Sequence, residues 1–185
     1  MPSSLPGVPH AWVANDDATS GNLQTLTDNI NYLRGVPVAS VWSSANISIP
    51  NGGTGAVLTW DSEEFDTDSV HSTVTNTERF TIVTPGVYVA TLDFVWQAGA
   101  VAGVYTDVRV NANLSATNRM LGRDVRPWIN SASIVGSAGS LATPPVRVAV
   151  GDYFYASALH GYTSALTVTG GQYVGTRFGL YWLAA

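Results

Sequence analysis

The most regular pattern in the chain is an alternation of side-chain types over residues 80–97. The segment FTIVTPGVYVATLDFVWQ predicts a short strand, a Pro-Gly turn and then a long strand. One face of the long strand would carry Tyr88, Ala90, Leu92, Phe94 and Trp96. Its other face would carry Val87, Val89, Thr91, Asp93 and Val95. The alternation therefore predicts a strand with two distinct faces.

Other segments repeat this period of two. Residues 104–110 alternate in the same way, and the end of the chain spaces Phe178, Leu180 and Trp182 by two. Turn signals separate these segments at Pro144-Pro145, Gly151-Asp152 and Gly170-Gly171. Strands at this spacing, with no second helix, predict an all-β antiparallel sandwich or jelly roll over residues 38–185.

One short helix is predicted over residues 20–34. Its apolar residues recur at a spacing of three, four and three, which is typical of a coiled-coil seam. They are Leu23, Leu26, Ile30 and Leu33. Gly35 and Pro37 end the pattern. A helix this short is marginal in water, so it needs a partner. Packing on its own β-domain and assembly with other copies are both open interpretations.

Residues 1–19 are predicted to form an extended arm. Prolines at positions 2, 6 and 9 fix φ and remove amide donors, which suits neither a helix nor a central strand. Trp12 and Val13 are the bulky apolar residues of its later half. An extended arm that carries a tryptophan is expected to lie against its own domain or a neighbour. We therefore divide the chain into an anchoring segment, 1–37, and a β-domain, 38–185.

Composition excludes several classes of protein. The 185 residues are 45% hydrophobic and 11% charged, which suits a globular domain with a sizeable core. Cysteine is absent, so disulfides, thiol nucleophiles and zinc–thiolate sites are excluded. A net charge of −5 offers no basic surface for nucleic acid. No apolar run is long enough to span a membrane. The first residues do not resemble a signal peptide, which indicates synthesis in the cytoplasm.

The acidic run at residues 61–68 is the main candidate for site chemistry. It holds Asp61, Glu63, Glu64, Asp66 and Asp68. A calcium loop would also need a glycine for its sharp turn, and a local run cannot form the two sides of a glycosidase cleft. A solvated turn between strands is the favoured interpretation. The histidines share no spacing and no nucleophile motif is present, so we expect no enzyme activity, no metal and no cofactor.

Aromatic and basic residues offer two further candidates. Aromatic residues cluster in the last third of the chain, where they suit core and interface packing better than stacking on sugars. They are Tyr153, Tyr155, Tyr162, Tyr173, Tyr181 and Trp182. Arg119, Arg123 and Arg126 form the basic cluster, with Asp124 among them. For these arginines we expect an ion pair between subunits or a contact with an acidic capsid.

The order of these motifs resembles the C1q/tumour-necrosis-factor jelly roll. That family has a Phe entering a strand, a Pro-Gly-x-Tyr turn, a Gly-Asp turn and a closing strand that begins Phe-x-Gly. The corresponding positions here are Phe80, residues 85–88, residues 151–152 and Phe178-Gly179. The chain departs from the pattern at Gly179, which follows Phe178 directly. The resemblance implies a compact homotrimer whose closing strands, with Tyr181 and Trp182, lie near the threefold axis.

Two segments resemble bacteriophage virion proteins in particular. WDSEEFDTDSVHSTVTNTERFTI is similar to their C1q-like domains, and HAWVANDDATSGNLQTLTDNINYLRG is similar to segments that precede such domains. The resemblance implies a homotrimeric knob on the virion surface that decorates and stabilises the capsid. Its partner would be the major capsid protein, with Trp12 and Val13 as anchors and the helix seam as the assembly contact. The alternative is a tail-tip or fibre head that recognises a host surface glycan.

Overall fold

The computed structural model describes residues 23–27, 30, 35–51, 53, 55–97, 105–127, 138–173 and 175–185. Residues 23–27 and 30 are helical, and no helix in this part of the chain is long and apolar enough to cross a membrane. The strands are β1 (Val38–Trp42), β2 (Ile47–Ile49), β3 (Ala56–Val57), β4 (Ser62–Asp66), β5 (Arg79–Thr81), β6 (Gly86–Val95), β7 (Tyr105–Leu114), β8 (Thr117–Pro127), β9 (Ala138–Ala142), β10 (Val146–Val148), β11 (Tyr153–His160), β12 (Leu166–Val168) and β13 (Arg177–Ala184).

Two antiparallel sheets pack face to face. The six-stranded sheet has the order β10-β6-β13-β1-β4, with β9 also paired to β6. The five-stranded sheet has the order β3-β11-β7-β8, with β5 also paired to β11. β2 and β12 form a separate two-stranded sheet, and β12 bridges to the end of β6 between Val168 and Trp96. The strands on either side of the Pro-Gly turn, β5 and β6, belong to different sheets, so that turn crosses between the two layers.

The core lies between the sheets and follows the predicted alternation. In β6, Tyr88, Ala90, Leu92 and Phe94 are buried, and Trp96 follows them on the same face. Facing residues of β7 and β11 come from the other sheet, among them Val108, Val110, Phe154 and Ala156. At the centre, the Phe178 ring stacks on Trp60 at 5.7 Å and on Phe80 at 4.7 Å between centroids. The predicted inward face of the long strand is confirmed.

The closing strand β13 lies between β6 and β1, where two close approaches fix its position. Gly179 is opposite Thr91, and a Cβ at Gly179 would lie 2.7 Å from Thr91 Oγ1 and 3.1 Å from Tyr181 Cε2. At Gly86 a Cβ would lie 2.3 Å from Trp182 Nε1 and 2.5 Å from the Ala184 oxygen. The Pro-Gly turn therefore needs its glycine because the Trp182 indole packs against it.

Candidate interaction surfaces

The acidic run is a set of structural hydrogen-bond acceptors. Asp61 accepts from the Ser44 backbone N–H at 2.7 Å and from the Ser44 hydroxyl at 2.5 Å. Asp66 accepts from the backbone N–H of His71 at 2.8 Å, and Asp68 accepts from that of Thr84 at 3.1 Å. Burial would raise the pKa of Asp61, but the hydrogen bonds from Ser44 and Ser62 hold it below its ordinary value.

The prediction of a solvated turn is wrong for residues 62–66, which hold Glu63, Glu64 and Asp66. Residues 62–66 form β4, the edge strand of the six-stranded sheet, and only the residues after it form a loop. The alternation missed this strand because a register shift in its pairing with β1 interrupts the period of two. In the part of the chain that the structure describes, no three His, Asp or Glu side chains are grouped to hold a metal ion.

The described histidines are built into the fold. The His71 side chain is fully buried, with Nδ1 2.8 Å from Glu63 Oε1 and Nε2 3.2 Å from the Thr77 oxygen. His160 is also fully buried; its Nε2 faces the Ile49 oxygen at 3.1 Å, and its Nδ1 accepts from the Tyr162 N–H at 3.2 Å. Both rings join separate chain segments, so each has a structural use.

The aromatic residues of the last third do not form one patch. Tyr153 and Tyr155 lie on the outer face of the five-stranded sheet, with ring centroids 6.1 Å apart. Tyr181 lies on the outer face of the six-stranded sheet, whereas Trp182 packs against the core. Tyr173 is 87% exposed in a turn. The structure therefore separates residues that the sequence brings close together.

The basic cluster makes its ion pairs within the chain. Asp107 is fully buried on β7. Its Oδ2 forms ion pairs with Arg109 Nη2 at 2.7 Å and with Arg123 Nη2 at 2.6 Å. Arg126 pairs with Asp124 at 2.8 Å. Burial would raise the pKa of Asp107, but hydrogen bonds and charge from Arg123 and Arg109 hold it below its ordinary value. Arg123 and Arg126 thus make ion pairs within one chain, and the expected contact of the arginine cluster with another subunit or an acidic capsid stays a prediction.

An exposed apolar surface covers one end of the outer face of the six-stranded sheet. Val89, Tyr181 and Val38 lie in register across three neighbouring strands, β6, β13 and β1. We call this surface the apolar face; its residues are Val38, Phe65, Val87, Val89, Tyr181 and Leu183. Phe65 is 40% exposed, Tyr181 39% and Leu183 51%. At the other end of the same sheet the surface is polar, because Arg177 lies opposite Asp93 and pairs with Glu64.

Sequence reasoning missed most of the apolar face. It identified Tyr181, but Phe65 was assigned to the acidic turn, and Val87 and Val89 were noted only as the second face of a strand. The available signal was the three valines on that second face, since a strand exposed to water on one side alternates with polar residues. Apolar residues on both faces indicate that both faces are covered.

The predicted helix seam is uncovered where the structure describes it. Leu23 is 49% exposed, Leu26 46% and Ile30 42%. Each of these residues is about half exposed within one chain, and packing on the β-domain and assembly with other copies both stay predictions. Trp12, Val13 and Leu33 lie outside the described residues, so their roles stay predictions.

Comparison with solved structures identifies the fold. Murine APRIL at pH 8.0 superposes with a TM-score of 0.57 at 11% identity, over 80% of this chain and 98% of that one. Eiger TNF from S. frugiperda superposes with a TM-score of 0.53 at 14% identity, over 82% of this chain and 94% of that one. No protein-family model and no curated protein matches the sequence. The chain has a tumour-necrosis-factor-like jelly-roll fold, as its motifs predicted.

Proposed function

We propose that this chain is a bacteriophage virion protein: a homotrimeric knob that decorates and stabilises the capsid, attached through its N-terminal segment. The fold is compatible with this role, and the phage context rests on the resemblance of residues 10–35 and 60–82 to virion proteins. Binding only to the assembled shell would shift the equilibrium toward that shell. Three arms on one knob would also multiply weak contacts through effective concentration.

The apolar face is the observation that supports the proposed trimer. Burial of aromatic and aliphatic side chains that are exposed together on a sheet is favourable, because it removes apolar surface from water. Other copies of the same surface can provide this burial. The face includes Val38, the first residue of β1, which follows the helical segment after a short connection. The uncovered helix seam and the apolar face are therefore consecutive along the chain. A single threefold assembly would bury both.

Mass measurement in solution tests the trimer. We expect light scattering to give three times the 19.5 kDa chain mass. Tyr181→Asp places a charge in the apolar face and should dissociate the assembly, because burying an unpaired charge is costly. Tyr173→Asp is the matched control, since Tyr173 is 87% exposed in a turn, and it should leave the mass unchanged. A monomer at all concentrations would contradict the proposal.

Imaging with gold-labelled antibody tests the location on the particle. Label spread over the head supports capsid decoration, and label confined to the tail tip supports the alternative of a glycan-recognising head. Removal of residues 1–34 should abolish attachment to the capsid if the N-terminal segment is the anchor. A glycan-binding knob would keep its ligand after the same truncation. Particles that carry no label would overturn both virion roles.

A further inference from the structure

An open cleft of about 690 Å³ lies at one end of the sandwich and is lined by residues of both sheets. The turn of the β7–β8 hairpin forms one wall, with Leu114, Thr117 and Arg119. The edge strand β10 also lines it, with Arg147 and Val148. We call this site the inter-sheet cleft. Its volume lies in the range of small-molecule sites in proteins, which is about 300–1,000 Å³.

The arginines distinguish this cleft from the rest of the surface. Four of the seven described arginines pair with carboxylates, at Asp107, Asp124 and Glu64. Arg79 lies over the Tyr153 ring, 4.5 Å from its centroid. Arg119 and Arg147 form no ion pair with an Asp or Glu of the described residues, and both line the cleft. Two guanidinium groups that no Asp or Glu neutralises, both lining one cleft, can together bind an oxyanion.

The Asp152 carboxylate in the cleft accepts hydrogen bonds from the backbone. Asp152 accepts from the Ser115 N–H at 2.7 Å through one oxygen and from the Ala149 N–H at 2.8 Å through the other. Asp152 therefore holds these two segments in place instead of pairing with either arginine. Arg147 donates from Nη2 to the Ala185 oxygen at 3.3 Å, which shows that an oxygen acceptor can sit at this edge of the cleft.

We propose that the inter-sheet cleft binds a small organic anion of about sugar size, with its carboxylate, phosphate or sulfate group held between Arg119 and Arg147. Leu114 and Val148 offer apolar surface to the carbon skeleton, and the hydroxyls of Ser115 and Thr117 offer hydrogen bonds to polar substituents. Because the chain carries a net charge of −5, general attraction does not favour an anion, and recognition must be local. This inference goes beyond the virion role and does not depend on it.

Calorimetric titration of the full chain tests the site with four ligands that share one ring. Glucuronate, glucose 6-phosphate and glucose 6-sulfate carry the three candidate anions, and glucose carries none. We expect at least one anion to bind about tenfold or more tightly than glucose, because charge-assisted hydrogen bonds are the strong ones. The anion that binds tightest identifies the preferred group. Three anions that bind no better than glucose would overturn the proposal.

Charge-matched variants locate the binding. Arg119→Gln and Arg147→Gln should each weaken anion binding by about tenfold or more, with thermal midpoints close to that of the parent chain because both side chains are exposed. Arg126→Gln removes the same charge at the opposite end of the β7–β8 hairpin and should leave binding unchanged. Equal weakening by all three variants would show that the anion responds only to net charge, which would overturn the site. The trimer test has a different readout, so the two proposals fail separately.

Discussion

Ser115 and Ala116 form the two-residue turn between β7 and β8, with φ values of 48° and 63°. Two-residue hairpin turns of this kind favour Asn-Gly, because a Cβ is crowded in the left-handed region. Here the turn contains no glycine, and the hydrogen bond from the Ser115 N–H to Asp152 helps to hold it. The same turn forms one wall of the inter-sheet cleft, so its strain is located beside the proposed binding site.

Replacing Ala116 with Gly should stabilise the protein. The substitution removes the Cβ from a left-handed position, and we expect a gain of about 0.5–1 kcal/mol in the free energy of unfolding. Thermal midpoints of both chains, measured at equal protein concentration, test this. Ala142→Gly in β9 is the control, since glycine in an ordinary strand position should cost about 0.5–1 kcal/mol. A loss of stability in both variants would contradict the assignment of strain to Ala116.

Asp107 should make a pH-dependent contribution to stability. Its folded pKa lies below the unfolded value of about 3.9, so its contribution is present above that pH and is lost as the pH falls through the folded pKa. Asp107→Asn should cost about 1–2 kcal/mol at pH 7, a figure reduced for solvent screening because Arg109 is 33% and Arg123 45% exposed.

Chemical unfolding as a function of pH checks this. The difference in the free energy of unfolding between Asp107→Asn and the parent chain should become smaller as the pH falls below about 4, because the Asp107 carboxylate of the parent is then protonated. Asp124→Asn removes a carboxylate that is less buried than Asp107, and we expect it to lower the free energy of unfolding at pH 7 by less than Asp107→Asn does. If the difference between Asp107→Asn and the parent chain stays constant down to acid pH, the charge of Asp107 is not the cause of the lost stability.

At the scale of elements, close contacts between strands decide where β13 lies. Its neighbours β6 and β1 are far apart in sequence, and the register is set by glycines that let side chains cross the sheet surface. The Trp182 indole lies against Gly86, and the Tyr181 ring lies over Gly179. The departure from the family pattern at Phe178-Gly179 has its physical reason here: Gly179 sits opposite Thr91 and under Tyr181, where a larger residue would collide.

Gly86→Ala should therefore destabilise the sandwich through overpacking. Its Cβ would meet the Trp182 indole and the Ala184 backbone oxygen, and we expect a cost of about 1–3 kcal/mol. Gly151→Ala is an informative control, because Gly151 has a φ of 86° but no atom within 4 Å of its would-be Cβ. It should show only the cost of a left-handed alanine, about 1 kcal/mol. Equal costs would contradict the packing argument at Gly86.

At the scale of the whole molecule, the proposed trimer would make stability depend on assembly, because two apolar surfaces are exposed in one chain. The helix seam and the apolar face are both exposed in one chain, and a trimer that buries them is linked by mass action to folding. We expect the thermal midpoint to rise with protein concentration, by scanning calorimetry over about a hundredfold range. Tyr181→Asp should remove that dependence, whereas Tyr173→Asp should keep it. A midpoint independent of concentration in the parent chain would contradict the linkage.

The sequence was most informative where a property is local. The all-β class, the strands on either side of the Pro-Gly turn and the inward face of β6 followed from alternation, because side-chain direction in a strand is set by the neighbouring residues. The order of short motifs also predicted the jelly roll that the solved structures support. Where the sequence alternates with a period of two, the strand and its inward face could be predicted without knowing which strands pair with it.

Only the tertiary structure decided which distant residues meet. The edge strand β4, the burial of Asp107 under two arginines and the presence of Arg119 and Arg147 in one cleft each join segments from different strands. Such contacts depend on strand order and register, which are set by packing over the whole core and not by local pattern. For the same reason, Tyr153 and Tyr155 lie on the outer face of one sheet and Tyr181 lies on the outer face of the other. Alternation determined which way each side chain points, and the fold determined what it touches.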